Sequence, residues 1–141
     1  MKKQFPFHRQ RKKMDCGPCC LLMIGEWYGK TNSLKTISSW AGTDQEGTSL
    51  RGMELAGLQM GFDVMPVRLS LAQLRDKKII PLPAILHWSE KHYVVLYKTG
   101  RRFFYIADPA VGCYKMDENG FMKTWTSGKP EGFALLLEPG T

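Results

Sequence analysis

At 141 residues, with 43% hydrophobic and 11% aromatic side chains, the chain can bury a core of its own without a disulfide or metal. The formal charge is +7, and Lys2, Lys3, Arg9, Arg11, Lys12 and Lys13 crowd the start. That crowding reads as a solvated surface, or as a surface for an acidic peptide, an anionic membrane or nucleic acid, and no nucleic-acid motif supports the last. The basic start is not followed by the apolar segment of a signal peptide. No apolar run approaches the ~20 residues of a membrane span. Three of the four cysteines fall within five positions, where they are poor disulfide partners for one another, so a reduced, cytosolic setting is expected.

Residues 1–14 read as an extended, basic entry segment. Asp15 to Gly29 reads as a helix: Asp15 can cap, Pro18 fits a first turn and Gly29 suits a left-handed stop. Cys20, Met23, Ile24 and Trp27 recur at helical spacing and predict its buried face. Ser33 caps a second helix, Leu34 to Trp40, ending at Gly42. Thr48 or Ser49 caps a third, stopped by Gly61, with Leu50, Met53 and Leu58 sharing a core face. Phe62 to Leu69 alternates as a strand, and Pro66 points to an edge or bulge. Ser70 to Arg75 is a short helical turn.

From Pro83 the pattern becomes strands. Pro83 to Trp88, His92 to Tyr97 and Phe103 to Asp108 form an antiparallel meander, with Ser89-Glu90-Lys91 and Thr99 to Arg102 as turns. Asp108-Pro109 breaks the third strand and Gly112 turns the chain back. Phe121 to Trp125 is expected as a helical turn and Phe133 to Glu138 as a last strand. The plan is α+β: one domain over 1–141, with a mainly helical half at 1–80 and an antiparallel sheet half at 81–141.

The chemistry concentrates at the first helix. A thiol at a helix N-terminus meets unpaired N–H groups and the macrodipole, which favour its anion. Such surroundings lower a thiol pKa from about 8.5 into the range of roughly 3.5–7.5. A nucleophilic Cys16 needs a base, and the base needs an orienting group. His8 reads as a surface residue and His87, ending a strand beside Trp88, as a structural histidine. His92 opens one strand of the meander and Asp108 closes its partner, so the two lie near each other. On spacing alone this is either a base with its orienter or a surface histidine near a turn aspartate. Gln10 could supply an amide to an oxyanion, or be an ordinary polar loop residue.

Gln10, Asp15-Cys16-Gly17-Pro18 with Cys20-Leu21, Tyr28-Gly29, Gly47-Thr48-Ser49, His92-Tyr93-Val94-Val95 and Ile106-Ala107-Asp108-Pro109 carry a resemblance. The chain resembles the bacteriocin-processing, papain-like cysteine peptidase domain at the N-terminus of peptidase-containing ABC transporters. The resemblance implies a helical lobe packed on a C-terminal antiparallel sheet. It implies a triad of Cys16, His92 and Asp108, with Gln10 in the oxyanion hole. It implies cleavage of a precursor leader after Gly-Gly, on the cytosolic side of the plasma membrane, coupled to export. The leader is then expected to bind as an amphipathic helix on an apolar groove. The expected partners are that precursor and the transmembrane and nucleotide-binding parts of a larger transporter. No phosphate-binding Gly-Lys-Ser/Thr loop is present, so no cofactor is expected in this domain and ATP belongs to the rest of the transporter. The isolated domain is expected to be monomeric.

Cys19 departs from the family, which usually carries a small residue there. With Cys16-Gly17-Pro18 it spells a thiol–disulfide oxidoreductase motif, an alternative activity. The missing strand before the helix argues against it. A zinc site lacks the second paired spacing. A leader-docking module without catalysis is the remaining alternative.

Overall fold

The computed structural model describes residues 3–88 and 91–140. A 3-10 turn at Lys13–Asp15 leads into α1, Cys16–Trp27. Then follow α2 (Leu34–Ala41), α3 (Leu50–Gln59), β1 (Phe62–Leu69), α4 (Leu71–Leu74) and β2 (Ala84–Trp88). The chain closes with β3 (His92–Thr99), β4 (Phe103–Asp108), β5 (Gly112–Asp117), α5 (Glu118–Trp125) and β6 (Gly132–Pro139).

Local chemistry sets the helix ends. The side chains of Ser33 and Ser49 accept from the amides of Thr36 and Gly52, and Ser70 with Gln73 forms a capping box. Gly42 ends α2 at φ 66°, a left-handed conformation that glycine adopts without Cβ strain. Asp15 sits at the N-cap position of α1, as its sequence suggests, but its side chain makes no capping hydrogen bond.

Among the described residues the strands form one sheet in the order β1-β6-β2-β3-β4-β5, every neighbouring pair antiparallel. The expected meander is β2-β3-β4. Pro66 lies in β1 at the sheet edge, where a missing N–H costs no ladder bond. Of the expected turn at Ser89-Glu90-Lys91, Ser89 and Glu90 lie outside the described residues, and Lys91 takes φ 62°. Two elements go beyond the expectation. Gly112 does not merely turn the chain but opens β5, and the helical turn at Phe121 is the second half of α5.

Both faces of the sheet are covered, which is why strand residues of both parities are apolar. On one face Cys20, Met23, Ile24, Ile37, Met53 and Ala56 pack against Ile85, Tyr93, Val95, Ala107, Leu135 and Leu137. On the other Leu74, Phe121 and Trp125 pack against Leu86, Val94, Leu96, Phe104, Ile106 and Leu136. The sequence expectation for α3 needs correction. Leu58 is 47% exposed, and the buried residues are Gly52, Met53, Ala56 and Gly57. Small residues let α3 approach closely: a Cβ on Gly52 would lie 2.1 Å from the Ala41 carbonyl oxygen. In α1 Cys20, Met23 and Ile24 are buried as expected, while Trp27 is only half-buried. Residues Cys16 to Leu21 are all buried, so the N-terminal half of α1 is enclosed on every side.

Candidate active site

Cys16 is the first residue of α1, 7% exposed. Gly17 permits its close approach to the sheet, because a Cβ there would meet Met53 Sδ at 2.6 Å and the Tyr93 ring at 3.3 Å. Strand register brings up the other two groups: Val95 of β3 pairs with Ala107 of β4, so His92 and Asp108 lie at the same end of the sheet. His92 Nε2 lies 2.6 Å from Asp108 Oδ1. The ring's remaining nitrogen, Nδ1, is the one left for Cys16, with which His92 also interacts. The imidazole is thus anchored on the carboxylate and stands close enough to Cys16 for the thiol to act on its pKa.

The electrostatics follow from these contacts. Burial alone would lower the His92 pKa, but hydrogen bonds and charge from Asp108 and Cys16 outweigh it and push it up to about 9. Burial alone would raise Asp108. The hydrogen bond from His92, the Ala110 amide, the His92 charge and Tyr114 together hold it below the usual carboxylate range. At neutral pH the pair is an imidazolium and a carboxylate.

Asp108 is fixed at both oxygens. Oδ1 also accepts from the Ala110 amide at 2.9 Å, and Oδ2 accepts from Tyr114 Oη at 3.3 Å. Gln10 lies near the turn that follows Asp108, its amide N–H donating to the Pro109 carbonyl at 2.9 Å. Its side-chain Nε2 donates to the carbonyls of Lys12 and Lys13 at 3.0 and 3.2 Å, and its buried Oε1 has no partner among the described residues. Both amide hydrogens are thus turned to the loop before α1. The entry segment is more than a basic extension. Arg9 donates to the carbonyls of Ala110 and Val111, and Phe5 stacks on Tyr97 at 5.0 Å.

The other histidines sit apart from this cluster. His8 pairs with Glu26 at 2.8 Å, and His87 stacks on Tyr93 at 5.0 Å, where burial lowers its pKa. Tyr93 Oη donates to the Thr48 carbonyl at 2.9 Å, tying the Gly47-Thr48-Ser49 loop to β3. A polar cleft of about 390 Å³ opens between that loop, His87 and Tyr93. Among the described residues no three His, Cys, Asp or Glu side chains converge as metal ligands.

Sequence reasoning missed Tyr114 and Arg9. Tyr114 was legible in principle, since Cys113-Tyr114-Lys115-Met116-Asp117 alternates with period two, and its neighbour Met116 is half-buried while Lys115 and Asp117 are exposed. Arg9 carried no signal, because its partners are backbone carbonyls distant in sequence.

The fold and the sequence both have relatives. One is the lactococcin-G-processing and transport ATP-binding protein LagD of Lactococcus lactis, 36% identical over 121 residues, covering 83% of this chain and 17% of that protein. A second, the lactococcin transport/processing ATP-binding protein LcnC-like of the same species, is 35% identical over 143 residues, covering 97% and 19%. The chain thus spans less than a fifth of the length of these relatives. Among solved structures, a double glycine motif protease from an AMS/PCAT transporter in complex with the leader peptide superposes with a TM-score of 0.87 at 27% identity, covering 96% of this chain and 92% of that one. The peptidase domain of Streptococcus ComA, a bifunctional ABC transporter of a quorum-sensing pathway, gives 0.87 at 26% identity, covering 96% and 99%. The α+β architecture is that of these papain-like domains. The Peptidase C39 family profile matches residues 4–140. A match over nearly the whole chain, on a shared fold, places the chain in the peptidase C39 family.

Proposed function

We propose that the chain is a cysteine endopeptidase domain that cuts a precursor peptide after a Gly-Gly motif, with Cys16 as nucleophile, His92 as acid–base and Asp108 as orienter. The observation that supports it is the His92–Asp108 pair at 2.6 Å, close enough to Cys16 at the N-terminus of α1 for the thiol to act on the His92 pKa. The thiolate attacks the carbonyl of the second glycine, and the His92 imidazolium gives its Nδ1 proton to the leaving amine. His92 then takes a proton from water, which attacks the thioester and frees the leader as a carboxylate. The Cys16 backbone N–H and the Gln10 amide hold the oxyanion. For this Gln10 must release the carbonyl of Lys12 or Lys13, since both its hydrogens are engaged at rest.

Glycine suits such a site because it lets backbone pass close to the nucleophile and takes unusual angles at low cost. The solved double-glycine protease that carries a bound leader supports a leader partner. This chain offers an apolar cavity of about 340 Å³ between β1, β6 and Ile79–Pro81, lined by Met65, Val67, Leu69 and Leu136. We seat the apolar face of the leader helix there. The relatives named as transport proteins support a domain working in a longer ABC transporter, at the cytoplasmic face of the membrane.

The test is incubation with a synthetic Gly-Gly leader peptide, read by mass spectrometry beside Cys16→Ala. Cleavage after the second glycine, lost in Cys16→Ala with leader binding retained, is the expected result. Equal cleavage by both proteins would overturn the assignment. Binding without cleavage by the unaltered protein would make it a docking module.

A further inference from the structure

The nucleophile proposed above does not account for Cys19. Its side chain is 1% exposed, yet it belongs to neither apolar cluster of the core. It lies three residues after Cys16, hence on the same side of α1, and close enough to feel the charges of Asp15 and Cys16. Cys20 also neighbours Cys16, but it is packed in the core under α1.

Two cysteines at i and i+3 of a helix have Cβ atoms about 5–6 Å apart. A disulfide needs about 3.5–4.5 Å. Inside a regular helix that gap resists closure. Here the helix begins at Cys16 itself, a 3-10 turn precedes it, and the Asp15 side chain makes no capping bond. Pro18 has no N–H to surrender, and Gly17 brings no side chain to the moving turn. The Cys-Gly-Pro-Cys spacing at a helix start is that of dithiol redox motifs.

We propose that Cys16 and Cys19 form a reversible disulfide, with hydrogen peroxide as oxidant, that switches the nucleophile off and spares it from irreversible oxidation. The proposal rests on Cys16 being the reactive thiol. Its thiolate attacks one peroxide oxygen, the O–O bond breaks, and hydroxide leaves as water after protonation. The sulfur is now a sulfenic acid. The Cys19 sulfur attacks it, loses its proton, and displaces a second water as the S–S bond forms. Two thiols and one peroxide give one disulfide and two waters. Burial, with the charges of Asp15 and Cys16, holds the Cys19 thiol at about 11, so Cys19 stays protonated while Cys16 reacts first. An external dithiol reverses the bond. Without Cys19 the sulfenic acid would advance to sulfinic acid, which a dithiol does not restore.

The experiment exposes the whole chain to hydrogen peroxide and then to dithiothreitol. The readouts are the mass of the tryptic peptide Met14–Lys30 and cleavage of a synthetic Gly-Gly leader. The expected result is loss of two hydrogens from the peptide and a fall in cleavage of at least about tenfold, both reversed by dithiothreitol. Cys19→Ser and Cys19→Ala should keep basal cleavage, gain oxygen at Cys16 under peroxide, and fail to recover. Oxygen gain without a disulfide in the unaltered protein would overturn the proposal. So would full recovery in both Cys19 variants, which would make Cys20 the resolving thiol. The peptide mass decides the disulfide whether or not the leader is cut, so absence of cleavage before peroxide would count against the peptidase reading alone.

Discussion

Cys16, His92 and Asp108 gain their chemistry from neighbours more than from their own types. His92 at about 9 is an imidazolium because Asp108 and Cys16 outweigh its burial. Tyr114 takes part indirectly, through its hydroxyl on Asp108 Oδ2. Removing that hydroxyl in Tyr114→Phe lets the Asp108 pKa rise, and the more basic carboxylate, still ionised at neutral pH, holds the imidazolium more tightly, so the His92 pKa rises. The alkaline limb of the kcat/KM–pH profile should therefore move to higher pH. At 3.3 Å the bond is long, and a loss of about 1 kcal/mol predicts a roughly fivefold drop in kcat/KM at neutral pH, mostly in kcat. An unmoved alkaline limb would show that Tyr114 only fills space. At this scale the sequence was legible for the three chemical groups, because Cys, His and Asp carry their function in their side chains. It was only faintly legible for the Tyr114 hydroxyl on Asp108, and not at all for the Arg9 guanidinium on the turn after it, because those act through position.

Elements are placed by small residues as much as by large ones. Alanine is the better helix former, so Gly52→Ala in α3 should stabilise by roughly 0.5–1 kcal/mol on propensity alone. The structure reverses the sign. The new Cβ would meet the Ala41 carbonyl at 2.1 Å, and backbone cannot swing aside as a side chain can. A loss of about 1–3 kcal/mol is expected, read as a lower Tm by calorimetry. A raised Tm would mean that α2 and α3 are free to separate. The same packing explains why Leu50, Met53 and Leu58 misled: a sequence pattern ranks leucine above glycine, whereas α3 meets α2 and β1 through Gly52 and Gly57. The strands were read more closely. The sequence bounds of Phe62–Leu69 and Phe103–Asp108 are the observed bounds of β1 and β4, since both runs end at turn residues and are apolar throughout or alternate cleanly.

For the whole molecule, the net charge of +7 sets how partners approach. If an acidic leader is steered by that field, its affinity should fall severalfold from low to physiological salt, as the screening length shrinks from about 30 to about 8 Å. Titration of leader binding at several salt concentrations checks this, and an unchanged affinity would confine recognition to apolar contact. What the sequence determined by itself was the set of reactive groups, the element order and the meander, because turn chemistry and side-chain periodicity are local. What only the tertiary structure decided was the insertion of β6 between β1 and β2, the strapping of Arg9 and Gln10 onto the turn after Asp108, and the clasp of Tyr114. Each joins groups distant along the chain, and no local pattern encodes such a pairing. The thiols of α1 show both sides of that division. Their spacing is written in the sequence, while the burial of Cys19 outside the core clusters is a property of the fold alone.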